Sequence, residues 1–423
     1  MTGGFAVFRD PVLGEEVFAA TTSRGLRLRV WPRQHFRETA AAITFAYGST
    51  DLGFDDGGVP VTTPAGMAHY LEHKLFEDED LHTFERFAAR GARVNASTGF
   101  TRTTYHFSAT SHVRENLQDL LQLVSRAHIT PANVDKERGI IAQEVRMYED
   151  APDHCTLFDL LGCLYGGHPV RHSVGGTVDS IAEITADGLL QCWRAFYRTG
   201  NAALAVAGPV EPALVLELAE ACSLAAGAPP ERHEPSDRGP VAAPRKQRAM
   251  QVARPKLLIG CKDRTLDSLV EARLRRQLCT RVLLDRLFAA SSEVREDLHR
   301  RGLVDDTLGC GYTGERTFGY AVVGCESELP EQAEATLRQV LLRPAPLDED
   351  HLDRVRRRFL GGYVRSFESV RAQAFAHAYE AIEDVPPFAA LQRVQSLTLE
   401  EVQARQHELL REENLAVAVT QKG

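Results

Sequence analysis

Two segments 213 positions apart constrain the fold of this chain more than any other feature. "ITADGLLQCWRAFYRTGNAALAVAG" (184–208) and "LTLEEVQARQHELLREENLAVAVTQ" (397–421) align without a gap, Thr185 on Thr398 and Asn201 on Asn414. Each reads as a helix capped by Thr, a short turn and an alternating apolar strand. Helix–turn–strand is a common unit, so the match gains weight from what lies between its copies. "AAGAPPERHEPSDRGPVAAPRKQR" (225–248) is rich in Pro, Gly, Ala and charge and reads as an extended linker. The expectation is a duplicated chain, with a first half 1–224, the linker 225–248 and a homologous second half 249–423. Strand patterns such as "AAAITFAYGS", "RTTYHFSATS" and "TFGYAVVGCE" alternate irregularly with helical ones. Regular βαβ alternation is missing, so each half is expected to be α+β, an antiparallel sheet with helices.

Composition narrows the function classes. With 43% hydrophobic and 25% charged residues the chain is globular in type. A net charge of −9 offers no basic footprint for nucleic acid and no attraction to an anionic membrane, and neither is expected as a partner. No apolar run approaches the roughly 18 residues of a membrane helix, and the first residues lack a signal-peptide pattern. Eight cysteines without a CxxC pair suit reduced, mostly buried thiols and a cytoplasmic location.

The chemistry concentrates in "AGMAHYLEHKLFED" (65–78). On a helical wheel with His69 at zero, His73 falls at about +40° and Glu72 at about −60°, while Met67, Leu71 and Leu75 lie opposite. Two His at i and i+4 can hold one ion from a single helix face, and zinc is the usual occupant. This is the H-x-x-E-H order, in which Glu72 is the candidate base and His69 and His73 are ligands. A hydrolytic site also needs a third ligand. "NVDKERGIIAQEVRMYEDAPD" (133–153) supplies candidates: Glu144 and Glu137 share a wheel face with Ile140, Ile141, Met147 and Tyr148. A carboxylate inside an apolar stripe needs a cation or a hydrogen-bond partner. Glu144 is assigned as the third ligand and Glu137 as a group orienting the site, with an ion pair to Arg138 or Arg146 as the alternative for Glu137.

"GMAHYLEHKLFED", "GARVNASTGFTRTTYHF", "KERGIIAQEVRMYEDAPD" and "HPVRHSVGGTVDSI" together resemble the pitrilysin family of zinc metallopeptidases, in the branch of the mitochondrial processing peptidases and their bacterial relatives. The resemblance runs over essentially the whole chain. It implies a zinc endopeptidase subunit, with two homologous α+β halves, zinc only in the first, and a clamshell formed by a dimer. Shifting residues 69–73 by 212 or 213 lands on "RVLLDR" (281–286), which has no His. The resemblance also implies that Asn95, Ala96, Ser97 and Thr98 form an edge strand to which a peptide adds its own backbone. Its substrates extend to modified or precursor peptides. The alternative it leaves is a non-catalytic assembly or peptide-binding subunit.

Active members also use an Arg and a Tyr seven residues apart to hold the substrate carbonyl. Aligned on Gly302-Leu303, those positions here are Leu298 and Asp305. Arg295 and Tyr312 are nearby at the wrong spacing. The expected partner is therefore a paralogous chain without zinc that carries the Arg/Tyr pair, in a heterodimer, with a homodimer as the other arrangement.

Overall fold

Alternating apolar segments in both halves pair into sheets in the computed structural model, which describes residues 4–10, 13–77, 83–344 and 346–423. The first half supplies β1 (Ala6–Arg9), β2 (Glu16–Thr21), β3 (Arg27–Pro32), β4 (Thr39–Phe45), a separate hairpin of β5 (Gly53–Asp56) and β6 (Val59–Thr62), then β7 (Arg93–Thr98), β8 (Thr103–Ala109) and β9 (Ala202–Gly208). The second supplies β10 (Arg245–Met250), β11 (Lys256–Lys262), β12 (Gly309–Gly314), β13 (Gly319–Glu326) and β14 (Leu415–Lys422). The larger sheet has the order β1-β2-β3-β9-β4-β8-β7 and the smaller β10-β14-β11-β13-β12. Each contains one parallel pair, β3 with β9 and β10 with β14, and is otherwise antiparallel. Five strands of the first sheet thus recur in the same order in the second. The fold is α+β.

The repeat is visible atom by atom. Thr185 and Thr398 each cap a helix through the side-chain oxygen, Ala186–Phe196 and Leu399–Leu409. Asn201 Nδ2 donates to the Phe196 carbonyl at 2.9 Å, and Asn414 Nδ2 donates to the Leu409 carbonyl at 3.0 Å. Both amides close the helix end before the strand begins, which is why the same residue stands at the same offset.

Packing partitions the chain differently from homology. One compact unit comprises Met1–Gln143, Val174–His233 and Gly362–Ala390; the other comprises Glu144–Ser173, Glu234–Gly361 and Leu391–Gly423. In the first, the helix Val370–Ile382 lies on β3, β4 and β9. Ala374 and Ala378 meet Ala40, Ala42, Ala205 and Ala207 there, beside Trp31 and Phe367. In the second, the helix Pro152–Leu164 lies on β10, β11 and β14. It comes so close to the sheet that a Cβ on Gly260 would sit 2.9 Å from Leu164 Cδ1. Each unit therefore takes its sheet from one half of the sequence and a covering helix from the other.

The 225–248 segment is tethered along its length. Arg232 pairs with Asp51 at 2.9 Å, Asp237 with Lys262 at 2.6 Å, and β10 opens at Arg245 inside the segment. The extended part thus ends four residues earlier than its composition suggests, because "RKQR" forms the start of a strand. All eight cysteines are unpaired thiols, and all but Cys310 are buried. Among the described residues no helix is long and apolar enough to cross a membrane.

Candidate metal centre

The helix Met67–Leu75 begins where the backbone turns left-handed at Gly66, φ 93°. A Cβ on Gly66 would lie 2.6 Å from the Gly175 carbonyl oxygen, and one on Gly176 2.5 Å from that of Ala65. Glycine at both sites lets "AGMAHYLEH" and "HSVGGTVDSI" touch backbone to backbone, and Ser180 Oγ donates to the Ala65 carbonyl at 2.8 Å. Met67, Leu71 and Leu75 bury the opposite face. Two further residues of this helix fasten the helix Pro131–Glu149. Tyr70 OH donates to the Val134 carbonyl at 2.5 Å, and Lys74 Nζ to the Asn133 carbonyl at 3.1 Å. Lys74 is completely buried and is also bonded to Glu77. Sequence reading passed over it, although at about +140° on the wheel Lys74 falls beside Met67 on the apolar face.

These bonds bring the predicted ligands together. Ligand atoms of His69, His73 and Glu144 lie within 4.8 Å of one another, and the two imidazole centroids are 4.7 Å apart. Among the described residues this is the one metal-competent cluster of its kind. His73 Nδ1 is 2.9 Å from Glu137 Oε1. A carboxylate accepts, so Nδ1 carries the proton and Nε2 presents its lone pair. That bond is the main reason the Glu137 carboxyl is held below its ordinary pKa. Arg138, the alternative partner for Glu137, is instead bonded to Asp135 and the Ile184 carbonyl. Burial, then the neighbouring His73, takes His69 down to about 4, so its imidazole is neutral at physiological pH. Two imidazoles and a carboxylate are the donor set of hydrolytic zinc sites, and the residues present fit that ion.

The apolar stripe around Glu137 and Glu144 differs from expectation. Ile141 and Val145 are buried, but Ile140, Met147 and Tyr148 are 50%, 58% and 38% exposed. A wheel locates an apolar sector without telling which part of it meets the core. Glu144 stands at the boundary, half-buried, one continuous helix and two turns on from Glu137.

Glu72 is 9% exposed, and its Oε2 accepts from Thr98 Oγ1 at 2.5 Å. Thr98 is the last residue of β7, which is the edge of the larger sheet. Along β7 Asn95 and Ser97 are exposed while Ala96 and Thr98 are half-buried, so Ala96 and Thr98 share the face of the 67–75 helix. The 26-residue separation of Thr98 and Glu72 left no local pattern for sequence reading to find.

In the second half, Asp305 accepts from Arg254 at 2.6 Å and from the Thr307 backbone at 2.9 Å. The Thr307 hydroxyl bond contributes most to holding its carboxyl at about 2. Arg295 donates to the Leu308 carbonyl at 2.8 Å and Tyr312 to Asp263 Oδ2 at 2.6 Å.

Residues 62–178 match the Insulinase (Peptidase family M16) domain. The zinc protease YmfH of Bacillus subtilis, itself uncharacterised, is 35% identical over 401 residues, covering 92% of this chain and 93% of that one. A crystal structure of an M16-like peptidase from Alicyclobacillus acidocaldarius superposes with a TM-score of 0.92 at 32% identity, covering 99% and 100% of the two chains. A peptidase M16 inactive domain from Pseudomonas fluorescens shares the fold, with a TM-score of 0.79 at 16% identity over 96% and 98%. The chain belongs to peptidase family M16, the insulinase/pitrilysin family, in which several curated relatives of this chain are named as zinc proteases.

Proposed function

We propose that this chain is the zinc-bearing subunit of an endopeptidase. The observation that carries the reading is the convergence of His69, His73 and Glu144 within 4.8 Å, beside a Glu72 oriented from the sheet edge. Zinc held by these three residues would act as a Lewis acid toward a scissile carbonyl and lower the pKa of a water. Glu137 keeps His73 in the tautomer and orientation a ligand needs. Glu72 takes the proton of the attacking water and passes it to the leaving amine. The free edge of β7, at Asn95 to Thr98, offers main-chain donors and acceptors to a peptide laid down as an added strand. The exposed Ile140 and Met147, on the helix of Glu144, offer apolar contact to its side chains. The intact donor set supports this reading over a non-catalytic subunit. Eight unpaired thiols suit a reducing, cytoplasmic setting.

The partner is a second M16 chain that supplies an Arg and a Tyr to the substrate carbonyl. Asp305 occupies the Tyr position as an ionised group already paired with Arg254, and the nearby Arg295 and Tyr312 are engaged by other groups of this chain. The test is peptide cleavage by the zinc-loaded chain alone and mixed with such a paralogue. The lone chain should be slower by about 10²–10³-fold, the usual cost of a missing oxyanion donor. Full activity of the lone chain would replace the heterodimer with a homodimer. No cleavage in either case would return the chain to the non-catalytic class.

A further inference from the structure

We infer that Thr98 is a positioning residue that ties the base Glu72 to the strand on which substrate docks; this rests on the peptidase reading above. Thr98 stands at the end of β7, paired with Thr103 of β8 in the sheet register. Its hydroxyl meets two oxygens, Glu72 Oε2 at 2.5 Å and Thr103 Oγ1 at 3.3 Å. Counting protons decides between them. Thr103 gives its single hydroxyl proton to the Tyr47 carbonyl at 2.9 Å. An ionised Glu72 can only accept, so the Thr98 proton goes to Oε2 at the distance of a charge-assisted bond. Around this pair the hydroxyls of Tyr105 and Tyr197 are 2.9 Å from each other, and burial keeps both phenols neutral. Thr98 is thus a hydroxyl donor that holds one oxygen of the base, and by holding Oε2 it helps set the direction in which Oε1 faces.

The consequence lies in where Thr98 is anchored. A threonine from a buried loop would hold Glu72 equally well in every state of the enzyme. Thr98 instead belongs to the edge strand, so its position follows the placement of β7. A peptide added along β7 would order the strand and the base together, and a poorly registered peptide would leave the carboxylate off line. In this arrangement Thr98 contributes to turnover and not to affinity, since its side chain faces the 67–75 helix while strand pairing uses the backbone.

The experiment uses the full zinc-loaded chain, with its paralogue present if cleavage requires it, and a mixed fluorogenic peptide library. Thr98→Val keeps the shape and β-branching but removes the donor. It should lower kcat by about 10- to 100-fold, the worth of one hydrogen bond to a charged group, with KM unchanged. Thr98→Ser should restore most of the loss. Zinc affinity, measured by chelator competition, should be the same in all three proteins, because Thr98 touches no ligand. If Thr98→Val turns over like wild type while Glu72→Gln is inert, the positioning role is overturned and the peptidase reading stands. If Thr98→Val loses zinc, or raises KM in proportion to its loss of rate, Thr98 is a structural or binding residue instead. If the wild-type chain cuts no peptide under any of these conditions, both the reading and the role fall together.

Discussion

On the 67–75 helix, His69, Glu72 and His73 face a carboxylate from the 131–149 helix. At the matching offset in the second half, the helix Val270–Phe288 carries Val282, Asp285 and Arg286, and the helix Glu349–Ser366 answers Asp285 with Arg358. The strand order around the two sites is the same. What the second half has kept is the pair of helices; what it has exchanged is every donor. Its buried polar interactions lie elsewhere, on Arg405 and Asp263, whose side chains are each 2% exposed and whose atoms meet Tyr312 and Thr280. The scaffold alone therefore does not call for a metal. One copy links its two helices with a partly exposed ion pair, the other with groups able to hold an ion.

The largest expected contrast is catalytic. Glu72→Gln should retain one zinc per chain and lose about 10²–10⁴-fold in rate, whereas Glu144→Gln should weaken zinc binding itself. The matching change in the second half, Asp285→Asn, should leave zinc content and rate alone. Elemental analysis and peptide turnover on the three proteins decide it, and loss of zinc from Asp285→Asn would break the comparison.

Next comes the buried pair. Asp263→Ala removes the buried counter-charge of Arg405 and leaves its guanidinium only the more exposed Glu408, which should cost about 3–5 kcal/mol in urea unfolding with the zinc stoichiometry unchanged. A cost below about 1 kcal/mol would show that Glu408 and water together replace Asp263 at Arg405.

An acid-induced loss of stability should be shared between the two sheets. Burial takes His106, beside β4 in the first, and His168, which the second unit encloses, each down to about 4. His168 accepts from Val170 N at Nδ1, as a neutral ring does. For a base whose folded pKa is depressed, the unfolded chain binds the extra proton between the folded and unfolded values. Stability is then full above pH about 6.5 and is lost as pH falls toward about 4, by up to about 1.4 kcal/mol per pH unit for each histidine. Urea midpoints across this window test the sign, and replacing either residue by Gln should reduce the slope.

The smallest effect belongs to the ion pair that stands where the metal site would be. Arg358 is 55% exposed, so Arg358→Ala should change stability by no more than about 1 kcal/mol. A larger loss would mean that the pair, rather than apolar packing, holds the second pair of helices.

The sequence revealed local periodicity and little of what crosses the chain. His69, Glu72 and His73 are legible because i, i+3 and i+4 share a helix face. Glu137 and Glu144 are legible as one face of a second helix, but the exposure of Ile140 and Met147 depends on what packs against that helix, which no wheel contains. Thr185 and Asn201 announce a repeat because capping and helix-closing bonds are local. Thr98 with Glu72, Lys74 with Asn133, and the alanine-lined seat of the 370–382 helix join distant positions, and such contacts follow from packing alone.

The reciprocal placement of two helices has a consequence for ancestry and for dissection. Residues 152–164 and 370–382 are equally long, and each covers the sheet built by the other half. That is the geometry of two identical chains that traded an arm and were later joined end to end. A fragment cut at the midpoint would keep His69, His73 and Glu144 yet bare the apolar face of its own sheet, so the gene can be split only by supplying the missing arm from a second piece.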